Sequence, residues 1–314
     1  MKRMSQAVLT VHHDVIEKMK AFYTDHLVNE CPTGAIFRAK VNDCAITAYR
    51  SGKVLFQGKR ALDEATIWEE WSKSLPTKPN QKNNKLEDHD FLPPENIGEL
   101  AIIGSDEVGT GDYFGPIVVC AAFVDQEIKR NLPTGIRDSK TLTDAKIKEL
   151  AAPLSKLVPN TILTLSNEKY NQLVEKGYTQ TQMKAILHHQ ALSNVIKKLD
   201  GKTFDGCLID QFTAPKQFFE ATRKRPDPLP KPIFFKTKAE SLHLSVATAS
   251  VLARYVFLKA LSQLSTEAGL DLPKGAGAVV DDAGAEIIRT KGESFLKKIA
   301  KVHFANTEKA KRLV

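Results

Sequence analysis

The sequence predicts an α/β protein with two parts, a small α+β region and then a larger region with a mixed five-stranded sheet and flanking helices. Three observations predict this class. An alternating apolar pattern with turn residues occupies the start of the chain, and short apolar runs alternate with long helical periods after residue 99. Between them lies a segment rich in Pro, Asn, Lys and Asp, without apolar periodicity. We therefore predict a small domain at residues 1–75, a linker at 76–98 and a larger domain at 99–314.

The small domain begins with a strand, "AVLTV", and a helix, "DVIEKMKAFYTDHL", and ends with a helix near residues 61–75. Between them, the run "AIFRAKVNDCAITAYRSGKVLFQG" contains two hairpin signals, Asn42-Asp43 and Ser51-Gly52. A two-residue turn at Asn42-Asp43 gives the hairpin one apolar face, which we assign to the core. That face holds Phe37, Ala39, Val41, Cys44, Ile46 and Ala48.

The opposite face of this hairpin carries Arg38 and Lys40 beside Thr47 and Tyr49. Cations next to a flat ring form a combination that grips sugar-phosphate backbones, so we interpret this face as a nucleic-acid-binding sheet. The alternative is a solvent-exposed sheet face without a function of its own.

The larger domain is predicted to alternate strands and helices. The strands lie at residues 102–106, 116–124, 161–165, 206–209 and 233–235. Long helices lie near residues 144–155, 181–199 and 242–264, with more helix after residue 281. We expect a central sheet that is antiparallel at its start and parallel later.

The composition of the chain limits the classes of function that it can have. The chain has 314 residues, a formal net charge of +8 and a pI near 9.1, which favours a polyanionic partner. Its longest apolar stretch, at residues 116–124, is too short to span a bilayer, and the basic start lacks the features of a secretory signal. We therefore expect a cytoplasmic protein without a membrane segment. The cysteines are far apart, which indicates buried thiols rather than a zinc site or a disulfide framework.

Cations cluster in two stretches of the sequence, for which the simpler interpretation is solvated helix faces and loops. They are Arg223, Lys224, Arg225, Lys231, Lys236 and Lys238, and in the tail Lys297, Lys298, Lys301, Lys309, Lys311 and Arg312.

Four acidic residues stand at or just after the ends of predicted strands: Asp106, Glu107, Asp210 and Glu240. Ligands bind at strand ends in α/β sheets, and a buried carboxylate is costly unless it is paired. No single nearby lysine or arginine can compensate the negative charges of all four acids, whereas divalent cations would. Oxygen ligands without His or Cys partners suit Mg²⁺ or Mn²⁺, and two such ions can promote phosphodiester hydrolysis. For any one acid alone, a helix cap or a surface ion pair is the simpler interpretation.

The first two acids belong to the glycine-rich stretch "GSDEVGTGDYFGP". Gly109, Gly111 and Gly115 are spaced too widely for a dinucleotide-binding fingerprint, and a strand follows instead of a helix, which disfavours a nicotinamide enzyme. Glycine permits close approach of the backbone to a ligand, so amides in this stretch are candidates for contacts with sugar and phosphate beside the metals. A tight hairpin between two strands is the other interpretation, and the two are compatible.

Four segments, "DEVGTGDYFGP", "RDSKTL", "LIDQF" and "KAESLHLSVATASVLARY", resemble in order and spacing the type 2 family of ribonucleases H, and within it the bacterial ribonuclease HIII branch. The resemblance extends from about Glu99 to the end of the chain. The N-terminal region resembles the TATA-box-binding-protein-like domain of the same branch. The resemblance implies an RNase H-like fold and metal-dependent endonucleolytic cleavage of the RNA strand in RNA/DNA hybrids, leaving 5′-phosphate and 3′-hydroxyl ends.

Carried onto this sequence, the resemblance implies that Asp106, Glu107, Asp210 and Glu240 are the catalytic carboxylates and hold Mg²⁺ or Mn²⁺, with two ions during catalysis. The fourth acid is often Asp in the wider family. The longer side chain of Glu240 therefore leaves the preference between the two metals open.

Substrate contacts are implied in two further places. The triplet Gly109-Thr110-Gly111 replaces the Gly-Arg/Lys-Gly of the sister ribonuclease HII, so we expect continuous hybrid rather than a single embedded ribonucleotide as substrate. The triplet amides are expected to contact the 2′-hydroxyl, which distinguishes RNA from DNA. Lys140, in the family's Asp-Ser-Lys motif, is expected to face a phosphate, or else the motif is only a helix-capping turn.

The segment after Glu240 is expected to form a helix that Ser241 caps and whose small side chains let it lie close against the sheet. We interpret the histidines as structural, because a lone histidine on a helix is more often structural than catalytic. These are His188, His189, His243 and His303.

We expect a monomer without an obligate protein partner. Two other functions fit the sequence: a non-catalytic nucleic-acid-binding protein with a structural metal site, and a metal-dependent DNA nuclease or recombinase of the same fold. The retention of all four carboxylates argues against the non-catalytic binding protein. Only the choice of substrate distinguishes the DNA nuclease or recombinase from a ribonuclease H.

Overall fold

The computed structural model describes residues 5–32, 34–41, 43–73, 89–136 and 142–314. The chain divides into two compact units, Met1–Gln81 and Lys82–Val314. The Asp-Ser-Lys motif with Lys140, and most of the predicted linker, lie outside the described residues.

The first unit is a four-stranded antiparallel sheet with two helices packed on one face. Its strands are β1 (Ser5–Thr10), β2 (Ala35–Val41), β3 (Cys44–Tyr49) and β4 (Lys53–Gly58), in the sheet order β1-β4-β3-β2. Its helices are α1 (His13–Phe22) and α2 (Ala61–Lys73). Apolar side chains of both helices, among them Ile16 and Trp68, share one core with Ile46 and Phe56 of the sheet.

The predicted register of the β2–β3 hairpin is confirmed. Ala39 pairs with Ile46, and both side chains are buried, as the core assignment requires. On the opposite face Lys40 is exposed, Arg38 and Tyr49 are half-buried, and Thr47 is buried. The cations and the ring therefore share one face, although not all of that face is open to solvent.

The second unit has a central sheet of five strands, each at a predicted position. They are β5 (Ile102–Val108), β6 (Ile117–Val124), β7 (Asn160–Leu165), β8 (Gly206–Asp210) and β9 (Ile233–Lys236). The sheet order is β7-β6-β5-β8-β9, with antiparallel pairing from β7 to β5 and parallel pairing from β5 to β9. The predicted fold class and the predicted change from antiparallel to parallel pairing are confirmed.

Helices cover both faces of this sheet. They are α3 (Gln126–Asn131), α4 (Asp144–Leu157), α5 (Asn167–Glu175), α6 (Gln180–Lys198), α7 (Pro215–Thr222), α8 (Leu244–Ala268), α9 (Ala278–Ile299) and α10 (Ala305–Arg312). Helix α9 is interrupted by non-helical backbone at Gly292. One core lies between the sheet and α6, and a second lies between the sheet and α4 and α8.

Helix α8 approaches β5 so closely that no side chain fits between them at Gly104. A Cβ atom there would lie 2.3 Å from Ser245 Oγ and 2.5 Å from the Val246 backbone nitrogen. The predicted close packing of this helix is confirmed. The predicted cap is wrong: α8 begins at Leu244 and His243 is its N-cap, while Ser241 donates its hydroxyl to the Lys238 carbonyl.

By length and composition, α8 is also apolar enough to cross a membrane, but 67% of its most apolar window is buried inside the protein. That burial is typical of a core helix. Cys44, Cys120 and Cys207 are buried free thiols, as predicted, whereas Cys31 is an exposed one.

Candidate active site

Two carboxylates lie side by side at the carboxyl ends of β5 and β8. Ser105 pairs with Ile209 in the parallel ladder, so that the next residues, Asp106 and Asp210, occupy neighbouring positions on the same face of the sheet. Asp106 is only 4% exposed, and one of its oxygens accepts the Glu107 backbone N–H at 2.7 Å. The pairing of two parallel strands therefore places two acids at one sheet edge, as predicted from their strand-end positions.

Glu240 joins this edge through the turn that follows β9. Lys238 adopts a left-handed conformation, with φ of 57°, and the 3₁₀ turn Ala239–Ser241 follows directly. The Ala239 N–H donates to Asp210 Oδ1 at 2.9 Å, which ties this turn to the end of β8. Glu240 itself is 7% exposed. A non-glycine residue in this conformation is strained, and such strain is often found at functional sites.

The charges of these acids act on Asp210. Burial, together with the negative charges of Asp106, Glu240 and Glu107 and against the lowering effect of the Ala239 N–H, raises its pKa to about 8. Each of the other predicted carboxylates thus interacts electrostatically with this one. Without a cation, the cluster is destabilised by its own repulsion.

Glu107 points toward helix α6, where it has positive partners. Its Oε1 accepts a hydrogen bond from Lys184 Nζ at 2.8 Å, and its Oε2 accepts one from His188 Nε2 at 2.9 Å. Burial acts to raise the pKa of Glu107, but the hydrogen bond and charge of His188, with those of Lys184, outweigh it and hold this pKa well below its usual range. Glu107 is therefore a fixed, ionised carboxylate.

Lys184 and His188 are site residues that the sequence reasoning missed. His188 is fully buried, its Nδ1 lies 2.8 Å from Ser105 Oγ, and its ring stacks on Phe212 at 5.0 Å. The Lys184 ammonium lies 4.1 Å from the centre of the same Phe212 ring. The i,i+4 spacing of the two residues on α6 was the available signal, since it places both on one helix face. The structural interpretation of His188 was incomplete, because its ring also orients a candidate metal ligand.

These carboxylates fit divalent metal ions by their chemistry. Their ligand atoms are oxygens alone, which suits Mg²⁺ or Mn²⁺ rather than zinc. Burial and the charges of the neighbouring carboxylates raise the pKa of Asp210, and a bound cation would offset this repulsion. Within the part of the chain that the structure describes, no three His, Cys, Asp or Glu side chains form a ready-made metal-binding cluster. The carboxylates therefore lie near one another, but their oxygens are not already arranged around a single metal position.

The glycine triplet lies at the end of β5, beside these acids. Gly109 has a φ of +94°, and a Cβ there would lie 2.1 Å from the Pro116 carbonyl oxygen, so only glycine fits. Gly111 is exposed and has open space around its Cα. The Thr110 carbonyl accepts a hydrogen bond from Gln180 Nε2 at 3.1 Å, which fixes the triplet to the start of α6. These glycines do lie in the connection of a hairpin between β5 and β6, but at residues 109–116 this connection is longer than the tight turn that was predicted.

Lys301 holds the rest of this loop in place. Its ammonium donates to the carbonyl oxygens of Asp112 at 2.7 Å and Gly115 at 2.5 Å, and its side chain is fully buried. Burial lowers its pKa to about 7, against the opposing charge of Asp112. For this residue the expectation of a solvated tail cation was wrong: carbonyl groups of the glycine loop, rather than water, receive its hydrogen bonds.

The remaining predicted substrate contacts are in different places. Arg38, Lys40 and Tyr49 belong to the first unit, on the hairpin face described above, and Lys140 lies outside the described residues.

Lys184→Met is expected to lower the free energy of unfolding by about 3 kcal/mol, because it leaves Glu107 charged and buried without one of its partners. Chemical denaturation measures this loss. Lys146→Met is the control, because its ion pair with Glu149 is exposed and such pairs contribute about 0–1 kcal/mol. Adding Glu107→Gln to Lys184→Met should restore part of the stability. Equal losses for Lys184→Met and Lys146→Met would contradict the buried pairing.

Asp210→Asn is expected to raise the melting temperature of the metal-free protein at alkaline pH. Because the folded-state pKa of about 8 lies above the ordinary 3.8, the folded form retains a proton that the unfolded chain releases. Stability from this group is therefore complete below the unfolded pKa and is lost as pH rises through the folded pKa. The gain of the variant should grow from acidic pH to about pH 9, at about 2–4 °C per kcal/mol.

Thermal melts in EDTA across this pH range, with the exposed Asp271→Asn as control, provide the measurement. A variant that melts at or below the wild-type temperature at every pH would show that Asp210 is not under repulsion.

Known proteins resemble this chain over almost its whole length. A family model described as Ribonuclease HII matches residues 103–307, and one described as a domain of unknown function (DUF3378) matches residues 6–83. Ribonuclease HIII of Bacillus velezensis is 49% identical over 312 residues, which cover 99% of this chain and 98% of that protein. Ribonuclease HIII of Bacillus subtilis is 47% identical over 314 residues, with coverage of 99% and 98%.

A solved structure agrees with these relatives. The crystal structure of Bst-RNase HIII in complex with Mn²⁺ superimposes with a TM-score of 0.67 at 42% identity, covering 98% of this chain and 99% of that chain. The expected RNase H-like fold is confirmed. The chain therefore belongs to the ribonuclease HII family, in its ribonuclease HIII branch, and is an enzyme of the ribonuclease H class.

Proposed function

We propose that this enzyme is an endonuclease that hydrolyses the RNA strand of RNA/DNA hybrids with two divalent metal ions, leaving 5′-phosphate and 3′-hydroxyl ends. The observation that carries the proposal is the convergence of Asp106, Glu107, Asp210 and Glu240 at the ends of β5 and β8. The pKa of Asp210, raised by burial and then by the charges of the other acids, records that convergence.

In this proposal all of these acids are metal ligands. When bound, two ions held by such carboxylates supply activation of water and stabilisation of the leaving oxygen in phosphodiester hydrolysis. The Mn²⁺ of the related Bst-RNase HIII structure supports a divalent cation here. The longer Glu240 starts from a turn rather than from a strand, and the Ala239–Asp210 hydrogen bond sets the position of that turn.

The protein's own residues keep the carboxylates in place. Lys184 and His188 hold both oxygens of Glu107, so this side chain is oriented before metal or substrate arrives. The Ala239 N–H fixes one oxygen of Asp210. Preorganisation of this kind reduces the cost of reaching the reactive geometry.

The glycine triplet is proposed to select RNA. Gly109 turns the chain at the end of β5 and Gly111 leaves open space, so that a ribose has room to approach the backbone amides. A 2′-hydroxyl both donates and accepts hydrogen bonds, which allows backbone groups to distinguish ribose from deoxyribose. Thr110 stands where a cationic side chain would favour a single embedded ribonucleotide, so continuous hybrid is the proposed substrate.

The sheet face with Arg38, Lys40 and Tyr49 is proposed to bind the hybrid backbone. The two cations stand on adjacent pleats of β2, next to β3 and its ring, with Lys40 fully open to solvent. We further propose that the enzyme acts in the cytoplasm as a monomer, with Lys140 at a substrate phosphate.

Cleavage of the labelled RNA strand tests the reaction. Hybrid, RNA duplex and single-stranded RNA are compared with Mg²⁺, Mn²⁺ or EDTA, for wild type and Asp210→Asn. Cutting of the hybrid alone, dependent on metal and reduced about 10³-fold in the variant, is expected, because a metal ligand contributes several kcal/mol of transition-state stabilisation. End labelling and phosphatase treatment identify the 5′-phosphate.

The thermal melts of Asp210→Asn are the internal control, since a variant that is folded and more stable has lost activity for chemical reasons. Tight hybrid binding without any cleavage would indicate a binding protein with a structural metal site instead. Cleavage of the DNA strand would indicate a DNA nuclease.

Arg38→Glu/Lys40→Glu is expected to weaken hybrid affinity strongly at low salt, and the dependence of affinity on salt should become shallower by about one unit per lost phosphate contact. Fluorescence anisotropy with a labelled hybrid measures both effects. Lys20→Glu on α1 is the control for the single variant Lys40→Glu, because it makes the same change of charge in the same unit. If Lys20→Glu weakens binding as much as Lys40→Glu, general charge rather than the sheet face is responsible.

A further inference from the structure

A cavity lies beside α7, away from the carboxylates. This cavity, of about 220 Å³, opens between this helix and the loop that leads into β9. Its lining includes His189, Phe219, Arg223, Arg225, Leu229 and Lys231. None of the candidate metal ligands contributes to it, so any ligand bound there is separate from the reaction centre.

The cavity is strongly cationic. Arg223, Arg225 and Lys231 line it, and no aspartate or glutamate is among its lining residues in the described part of the chain. The acid nearest in sequence, Asp227, is half-buried and forms an ion pair with Lys197 at 2.7 Å, and its charge also acts on Arg225 and His189. The side chains that line the cavity therefore carry a net positive charge, which favours an anion.

Arg225 has an unused donor at this cavity. One of its terminal nitrogens donates to Gln190 Oε1, which fixes the guanidinium from one side. Its Nε is buried and has no hydrogen-bond partner. Buried polar atoms are almost always satisfied, so an unsatisfied guanidinium donor in a cationic cavity indicates a missing acceptor.

The ring of His189 carries a second polar atom at this cavity that lacks a hydrogen-bond partner. Its side chain is buried, with 4% exposure, and its Nδ1 has no hydrogen-bond partner. Burial and the charge of Arg225 lower its pKa, against the charge and the backbone of Asp227, which raise it. A hydroxyl or amino group of a ligand would give this ring nitrogen a hydrogen-bond partner.

The other walls are flat and apolar. Phe218, Phe219, Pro228, Leu229 and Ile233 supply them. Aromatic and aliphatic walls receive a planar ring, as in many small-molecule sites with a few placed polar groups.

We propose that this cavity binds a nucleoside monophosphate, with its phosphate on the arginines, its ring on the apolar walls and a hydroxyl or amino group on His189. The cavity has room for one nucleotide and not for a duplex. The ligand is either a free nucleotide or the 5′-phosphorylated end of an RNA strand, since both present the same chemistry. The proposal does not depend on the reaction proposed above.

Calorimetric titration of the full chain with AMP tests this, in EDTA and at near-physiological salt so that neither active-site metals nor long-range attraction contributes. Adenosine and inorganic phosphate are titrated in parallel. AMP is expected to bind more tightly than either. Arg225→Gln should weaken AMP about 10-fold or more, because it removes a charge-assisted donor. Lys231→Glu, at an exposed position, should weaken it without affecting folding.

Lys224→Glu is the matched control, since it makes the same charge change at an exposed neighbour that does not line the cavity. Short RNAs with and without a 5′-phosphate separate the two sources: a preference for the phosphorylated strand identifies a strand end, and equal binding with retained AMP affinity identifies a free nucleotide. The proposal is overturned if neither AMP nor the phosphorylated RNA binds, if adenosine binds as well as AMP, or if Lys224→Glu weakens binding as much as Lys231→Glu.

Discussion

Repulsion among carboxylates gathered at one sheet edge is the constraint on which the rest of the larger unit depends. Asp106 and Asp210 become neighbours simply because β5 and β8 pair in parallel. Each ionised acid then makes the next more costly to ionise, and burial increases that cost. A protein that keeps this arrangement needs a framework rigid enough to resist separation of the charges. The packed helices on both faces of the sheet provide it.

The surrounding protein groups compensate the negative charges of these acids to different degrees. Glu107 faces α6 and is neutralised by Lys184 and His188, whereas Asp210 receives one backbone N–H and otherwise faces negative charge. The positive side chains of α6 thus compensate Glu107, whereas Asp210 is subject to the negative charges of its neighbours. This difference explains why the pKa of one acid is lowered and that of another is raised within a single cluster.

Much of this could be predicted from the sequence. Short apolar runs predicted the strands of the sheet, and the positions of acids at the ends of those runs predicted the carboxylate cluster, because both signals are local and the parallel pairing of β5 with β8 brings the strand ends together. The roles of Lys184 and His188 were missed because their partner lies 77 and 81 residues away, and a helix period shows a shared face but not what the face meets. Ser241 was assigned as the cap because Ser is a good N-cap, yet the left-handed Lys238 starts a 3₁₀ turn that delays the helix to Leu244.

The buried ammonium of Lys301 connects the two ends of the larger unit. The glycine loop at residues 109–115 accepts hydrogen bonds from this side chain, and its Gly115 N–H donates to the Ile299 carbonyl; both partners belong to the segment at the end of α9. During synthesis the loop is made long before the residues that fix it. The nascent chain can pair β5 with β6 early, but this loop lacks its native support until Lys301 has emerged. A chain truncated before Lys301 would therefore keep the carboxylates but lose the hydrogen bonds that fix the loop beside them.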